Sequence, residues 1–213
     1  MNIIESLQWR YATKKFDPSR LLPNEKIDIL AQAFNLTATS YGLQPLRLVI
    51  IQNKKLQQEL TKHSWNQHQV ADASHLLILC IEKRVAETFI TKHFENVKAI
   101  RNTDDTILDP FKQQLITSFK DKPKEDITNW AAKQAYLAMG NLLTVCATEQ
   151  IDACPMEGFI PEKYDEILNL SENDLSSVLV LPVGYRAEDD MFSKLQKVRR
   201  NMGETVIYHN ADN

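Results

Sequence analysis

The stretch HLLILCIEK, His75 to Lys83, is apolar without a break from Leu76 to Ile81. A strand wetted on one face alternates apolar and polar residues. A strand covered on both faces reads as a continuous apolar run of this length. The segment therefore predicts a strand inside a layered α and β protein. Two other stretches read similarly: LRLVII, Leu46 to Ile51, and SSVLVLPVGY, Ser176 to Tyr185.

Helical signals surround these strands. NIIESLQWRY opens with Asn2 as a candidate N-cap. A second helix starts at Asn24, with Ile27, Leu30, Ala31 and Phe34 at helical spacing. KKLQQELTKH and NQHQVAD read as exposed helices, and PEKYDEILNL as another, with Pro161 near its start. The longest helical signal is EDITNWAAKQAYLAMGNLLTVCATEQ, Glu125 to Gln150. Its middle is apolar on nearly all sides, which predicts burial in a large core or an interface. Residues 84–125 are charged and weakly periodic, and read as an excursion that covers something. Within it, RNTDDTILDP, Arg101 to Pro110, reads as a loop between two helices. Near the end, TVIYH, Thr205 to His209, reads as a strand with no local partner, which suggests pairing with a second chain.

The chain has 213 residues, 43% hydrophobic and 25% charged. The length suits one large domain or two small ones, and the make-up is that of an ordinary globular protein. A net charge of -3 and a pI near 6.0 argue against nucleic acid as a partner. No apolar run is long enough to span a bilayer, and MNIIESLQWR lacks a signal-peptide layout. Three cysteines, Cys80, Cys146 and Cys154, form no CxxC and predict no disulfide framework. A reducing, cytoplasmic setting is the expectation.

The five glycines, at 42, 140, 158, 184 and 203, exclude GxGxxG and GxxxxGK[ST]. Any bound phosphate must then be held by side chains. No HExxH, zinc-type Cys/His spacing or GxSxG is present, so neither a metal nor a serine nucleophile is expected.

Four groups of residues remain. RYATKKF carries Arg10 and Lys14, and QKVRRN carries Lys197, Arg199 and Arg200. Each alone reads as solvated surface. Brought together, they would need an anion between them, with Arg forking it and Lys adding a point charge. In CPMEGF, Cys154 to Phe159, Pro155 stiffens one side and Gly158 frees the other, which could aim backbone N–H groups at a ligand, or make a plain turn. Asn66, in WNQHQV, can donate and accept at a heterocycle edge, or simply cap a helix.

Taken in order, RYATKKFD, TSYGLQP, WNQHQVADASHL, WAAKQAYLAMGNLL, CPMEGF and LPVGYRAEDD…KVRR resemble the FMN-dependent nitroreductase family. The likeness is to the oxygen-insensitive NAD(P)H nitroreductases and dihydropteridine reductases, and runs nearly end to end. It implies an α+β fold, a mixed central sheet surrounded by helices, in an intertwined homodimer. It implies one domain over 1–213, with 84–125 over the active site and the tail 186–213 embracing the partner. It implies FMN as cofactor, NADH or NADPH as donor, and a nitroaromatic, quinone or pteridine acceptor reduced by ping-pong hydride transfer. A flavin-storing or flavin-sensing dimer without turnover is the alternative.

By the same resemblance, Arg10, Lys197 and Arg199 hold the FMN phosphate, with Tyr11 and Ala12 beside them. Lys14 lies near the N1–C2=O edge of the ring, Asn66 pairs with its pyrimidine edge, and Gln69 also belongs to the cofactor site. Pro155, Met156, Glu157 and Gly158 face the ring, with the Glu157 and Gly158 N–H groups near N5 and O4. Ala38, Thr39, Ser40 and Gly42 meet the flavin bound mainly by the other subunit. No side chain is expected to be catalytic, because the flavin carries the chemistry. Two departures stand out: relatives often have Ser at Ala12, and some have Lys at Gln69.

Overall fold

The computed structural model describes residues 2–209. Its sheet has four strands: β1 (Leu46–Ile51), β2 (His75–Glu82), β3 (Asp152–Ala153) and β4 (Leu175–Gly184). Their order is β1-β2-β4-β3, with every neighbouring pair antiparallel. The one parallel pairing among the described residues is the isolated bridge Ala12–Ala153, and this alone makes the sheet mixed. β4 carries one extra residue against β2: Leu79 faces Leu179 while Cys80 faces Ser177.

The apolar run of β2 now has its reason. Leu77, Leu79 and Ile81 enter a core shared with helix α7 (Lys124–Thr148) and helix α2 (Asn24–Asn35). Leu76, Ile78 and Cys80 enter a second core, with helices α3 (Lys54–Thr61) and α8 (Pro161–Ile167). Both faces of the strand are covered, so neither carries polar residues. Helix α1 (Ile3–Trp9) is closed by a capping box between Asn2 and Glu5. The short helix α4 (Gln69–Asp72) follows two residues in the left-handed region, Trp65 (φ 53°) and Asn66 (φ 54°).

Several expectations are corrected. RNTDDTILDP is mostly helix. α5 (Glu87–Arg101) and α6 (Asp105–Lys120) are joined by three residues, with Asp104 capping α6 through its bond to Thr106 N–H. Pro110 lies inside α6 and does not end it. Residues 84–125 thus form a helical hairpin with a core of its own: Leu43, Val85, Ile90, Phe94, Leu115 and Phe119. α3 and α4 are not simply exposed, since Gln57, Leu60, Gln69 and Val70 are buried. Asn66 caps nothing; His68 stands at the start of α4. At the C-terminal end, Met202–Thr205 form a helical turn, α9, and residues 206–209 join no sheet within the chain.

α7 buries Ala131, Ala135, Ala138, Met139, Leu142 and Cys146 on one face. Its other face leaves Tyr136 and Leu137 half-exposed and Gly140 open, with nothing within 4 Å of where a Cβ would sit.

Candidate functional site

The loop after α1 runs beside the tail that follows β4. Between them lies an open cleft of about 400 Å3. Arg10, Tyr11, Ala12, Lys14, Lys197 and Arg199 all line it. Two segments almost 190 residues apart therefore deliver four cations to one place.

None of the ion pairs among the described residues includes Arg10, Lys197 or Arg199. Burial, and then the neighbouring Arg199, lower the pKa of Arg10. Burial, Arg10 and Arg199 do the same for Lys197. Mutually repelling cations held together at a cleft are what an anion such as a phosphate requires. Lys197 Nζ also donates to the carbonyls of Leu7 (2.9 Å) and Arg10, so it braces the end of α1 as well.

From the cleft, polar contacts lead towards CPMEGF. Lys14 Nζ lies 4.0 Å from Cys154 Sγ, and Gln69 Nε2 lies 3.9 Å from the same sulfur. Gln69 donates to Gln67 Oε1 (3.1 Å), and Gln67 donates to the Gly158 carbonyl (2.9 Å). Burial raises the Cys154 pKa, with Lys14 and Gln69 opposing it. It remains a thiol at neutral pH.

Met156 is buried and pairs with Val180, which ties the turn to the sheet. Pro155 precedes it, half-buried. Tyr136 of α7 donates to Glu157 Oε1 at 2.7 Å. Among the described residues, neither the Glu157 N–H nor the Gly158 N–H has a protein acceptor, leaving both for a ligand or water. Gly158 is not needed for a left-handed backbone, contrary to the expectation of conformational freedom. Its role is space: a Cβ would sit 2.9 Å from the Trp65 ring and 3.0 Å from Gln67 Nε2.

The segment Ala38, Thr39, Ser40 and Gly42 does not line the cationic cleft. Its neighbours Tyr41 and Leu43 pack against the α5–α6 hairpin, and Thr39 lines a separate cavity of about 380 Å3 with Phe89 and His93. The Ser40 N–H donates to Gln134 Oε1 (2.8 Å), and Thr39 Oγ1 accepts from Gln44 N–H (3.1 Å). Tyr41 (φ 60°), Gly42 (φ 69°) and Gln44 (φ 47°) all adopt the left-handed region, so the turn is tighter than one glycine would need. Asn66 is exposed beside Trp65. The cationic cleft and the cavity at Thr39 are thus separate in the chain.

Sequence reasoning missed the supports behind the cleft. Asp152 is buried and accepts from Arg186 Nε (2.6 Å) and Arg186 N–H (2.8 Å). The Arg186 guanidinium sits 4.3 Å from the Trp9 ring centre and 4.6 Å from that of Tyr11. Asp190 accepts from the Tyr11 hydroxyl at 2.8 Å. No periodicity marks these acids, because their burial depends on partners far away in the chain.

The sequence profile of the nitroreductase family matches residues 7–185. The chain belongs to the nitroreductase family. A Staphylococcus epidermidis relative, provisionally named an NAD(P)H nitroreductase, is 30% identical over 97% of this chain and 96% of its own length. A Staphylococcus haemolyticus relative with the same provisional name is 32% identical over 88% of this chain and 89% of its own length. Among solved structures, a Bacillus subtilis protein provisionally described as a nitroreductase superposes with a TM-score of 0.86 at 18% identity, covering 97% of this chain and 98% of its own. An Exiguobacterium sibiricum protein, likewise described and solved in complex with FMN, gives 0.84 at 15% identity, covering 98% of each. At these identities the two structures establish the nitroreductase fold. The family profile leaves out the last 28 residues, which include Lys197 and Arg199.

Proposed function

We propose that this nitroreductase-family chain works as a homodimer that binds FMN and oxidises NADH or NADPH. The observation that carries the reading is the convergence of Arg10, Lys197 and Arg199, none of them in an ion pair among the described residues, on a cleft that leads through Lys14 to Gly158. The phosphate of FMN is an anion of the kind that cluster would take.

Bound FMN would supply the two-electron chemistry, accepting hydride from the nicotinamide and passing it in a separate half-reaction to a nitroaromatic, quinone or pteridine. The chain's own residues supply place and charge. Arg10, Lys197 and Arg199, with Tyr11 and Ala12 at their side, hold the phosphate. Lys14 provides a fixed cation where charge develops on reduction. Asn66 and Gln69 serve the polar edge of the ring. Pro155, Met156, Glu157 and Gly158 form its floor, with the Glu157 and Gly158 N–H groups as donors.

The dimer supplies the rest. Ala38, Thr39, Ser40 and Gly42 face the partner's flavin, under the hairpin 84–125 of their own chain. The open face of α7 around Gly140 meets a second copy, and the tail from residue 186 reaches across it; the last four residues of the 186–213 tail lie outside the described residues. Exposed Val198, Met202, Ile207 and Tyr208 support that reading, since a tail this apolar is rarely left in water. The setting is cytoplasmic.

Anaerobic reduction tests the reading. The flavin-loaded protein is mixed with NADH or NADPH, and then with each acceptor. Bleaching by a nicotinamide and recovery by an acceptor are expected. Yellow protein that neither nicotinamide bleaches would be a flavin carrier, and protein that takes up no flavin would contradict the proposal.

A further inference from the structure

Asp190 is 2% exposed, and four donors converge on its carboxylate. Oδ2 accepts from the Tyr11 hydroxyl (2.8 Å), Lys14 N–H (3.0 Å) and Lys15 N–H (3.2 Å). Oδ1 accepts from Phe192 N–H (3.0 Å). One side chain thus fastens together the two segments that supply every cation of the cleft. Neither segment is held by an extended ladder. Residues 12 and 16 make only isolated bridges. Met191–Lys194 form a single 3-10 turn, for which Asp190 is the cap. Residues 195–201 have no regular structure.

The carboxylate is suited to the task. Burial alone would raise its pKa; the bonds from Tyr11, Lys14, Lys15 and Phe192 more than offset that and hold it below the usual carboxylate range. Burial, and then the bond to Asp190, raise the Tyr11 pKa, so the phenol remains a donor.

We propose that Asp190 is the positioning residue of the cationic cleft. It locks the loop 10–15 against the tail 191–199, so that Arg10, Lys14, Lys197 and Arg199 face one anion. The inference rests on the reading of that anion as the FMN phosphate.

The sign of one substitution separates positioning from charge. Asp190 is an anion near a site for an anion. By Coulomb's law alone, Asp190→Asn should tighten phosphate binding. Positioning predicts the opposite. Four N–H and O–H donors meet two carboxylate oxygens, and an amide offers only one oxygen. Turned either way, its NH2 confronts a donor and releases the Phe192 turn or the loop at 11–15.

The experiment compares wild type, Asp190→Asn and Tyr11→Phe. FMN affinity is read by quenching of flavin fluorescence. Amide hydrogen exchange is read across 8–16 and 191–205 on flavin-free protein. Expected are FMN binding weaker by about tenfold or more in Asp190→Asn, a smaller loss in Tyr11→Phe, and faster exchange in at least one segment of each variant. Unchanged or tighter FMN binding in folded Asp190→Asn would overturn the proposal, as would unchanged exchange. If Asp190→Asn does not fold, Tyr11→Phe decides by the same two readouts. Wild type that binds no FMN would overturn the flavin reading instead, and the exchange comparison would still decide the clamp.

Discussion

Lys197 Nζ donates to the main-chain carbonyls of Leu7 and Arg10, 190 and 187 residues earlier in the chain. Those carbonyls close the C-terminal end of α1, where the helix dipole is negative. An ammonium has three donors, so one remains for an anion. Arg10 is different: its guanidinium makes no ion pair among the described residues and is half-buried beside Arg199. Two cations in one cleft therefore have unequal duties.

Arg10→Gln and Lys197→Met should separate those duties. Arg10→Gln removes repulsion from the flavin-free protein, so thermal stability without FMN should hold or rise while FMN affinity falls by about tenfold or more. Lys197→Met removes a helix-end cation as well and should lower flavin-free stability by about 0.3–1 kcal/mol. Thermal unfolding and FMN titration check both. Equal loss of flavin-free stability in the two variants would contradict the assignment.

Gly158→Ala drives a methyl to within 2.9 Å of the Trp65 ring. Trp65 is 72% exposed, so the ring can swing aside, and the cost should be near the low end for overpacking, about 1 kcal/mol. For a chain of this size that is a fall in Tm of about 2–4 °C. A shift of tryptophan emission should accompany it. No change in either would mean that Trp65 does not rest on the turn.

Gln69→Lys would set a second cation across Cys154 from Lys14. If that cation favours reduced flavin by about 1.4 kcal/mol, the two-electron midpoint potential rises by about 30 mV. A spectroelectrochemical titration of the flavin-loaded variant measures it. An unchanged or lower potential would remove Gln69 from the electronic role.

His75 is buried, with Nδ1 2.8 Å from Ser74 Oγ. Burial, and then Lys54, lower its folded-state pKa below the ordinary 6.5. Between the lowered value and 6.5 the unfolded chain takes up a proton that the native protein resists. Stability therefore falls as pH drops through that window and levels off below the folded pKa. Urea unfolding from pH 5 to 8 should show this slope, flatter in His75→Gln. An equal slope in both proteins would assign it to other groups.

Much of the architecture was legible because it is local or periodic. The runs at 46–51, 75–83 and 176–185 announce the strands found at 46–51, 75–82 and 175–184, and Asn2 announces α1. RNTDDTILDP misled, because it shows no clear helical period, yet Asp104 caps the first turn and α6 runs on through Pro110. Of the cleft, Arg10, Lys14, Lys197 and Arg199 were legible through family order, since a cation in a loop carries no period. Asp152 and Asp190 were not. An aspartate in RAEDD looks solvated until Tyr11 arrives from the other end of the chain. Gly158 was noticed for the wrong reason, because Trp65 lies on a different segment.

The central claim concerns a phosphate, so the most direct measurement compares FMN with riboflavin, which has the same ring system and no phosphate. Flavin-free wild type is titrated with each at several salt concentrations. The account predicts FMN binding at least about a hundredfold tighter, by two or more charge-assisted hydrogen bonds, with the gap closing as salt rises. Equal affinities, insensitive to salt, would contradict it.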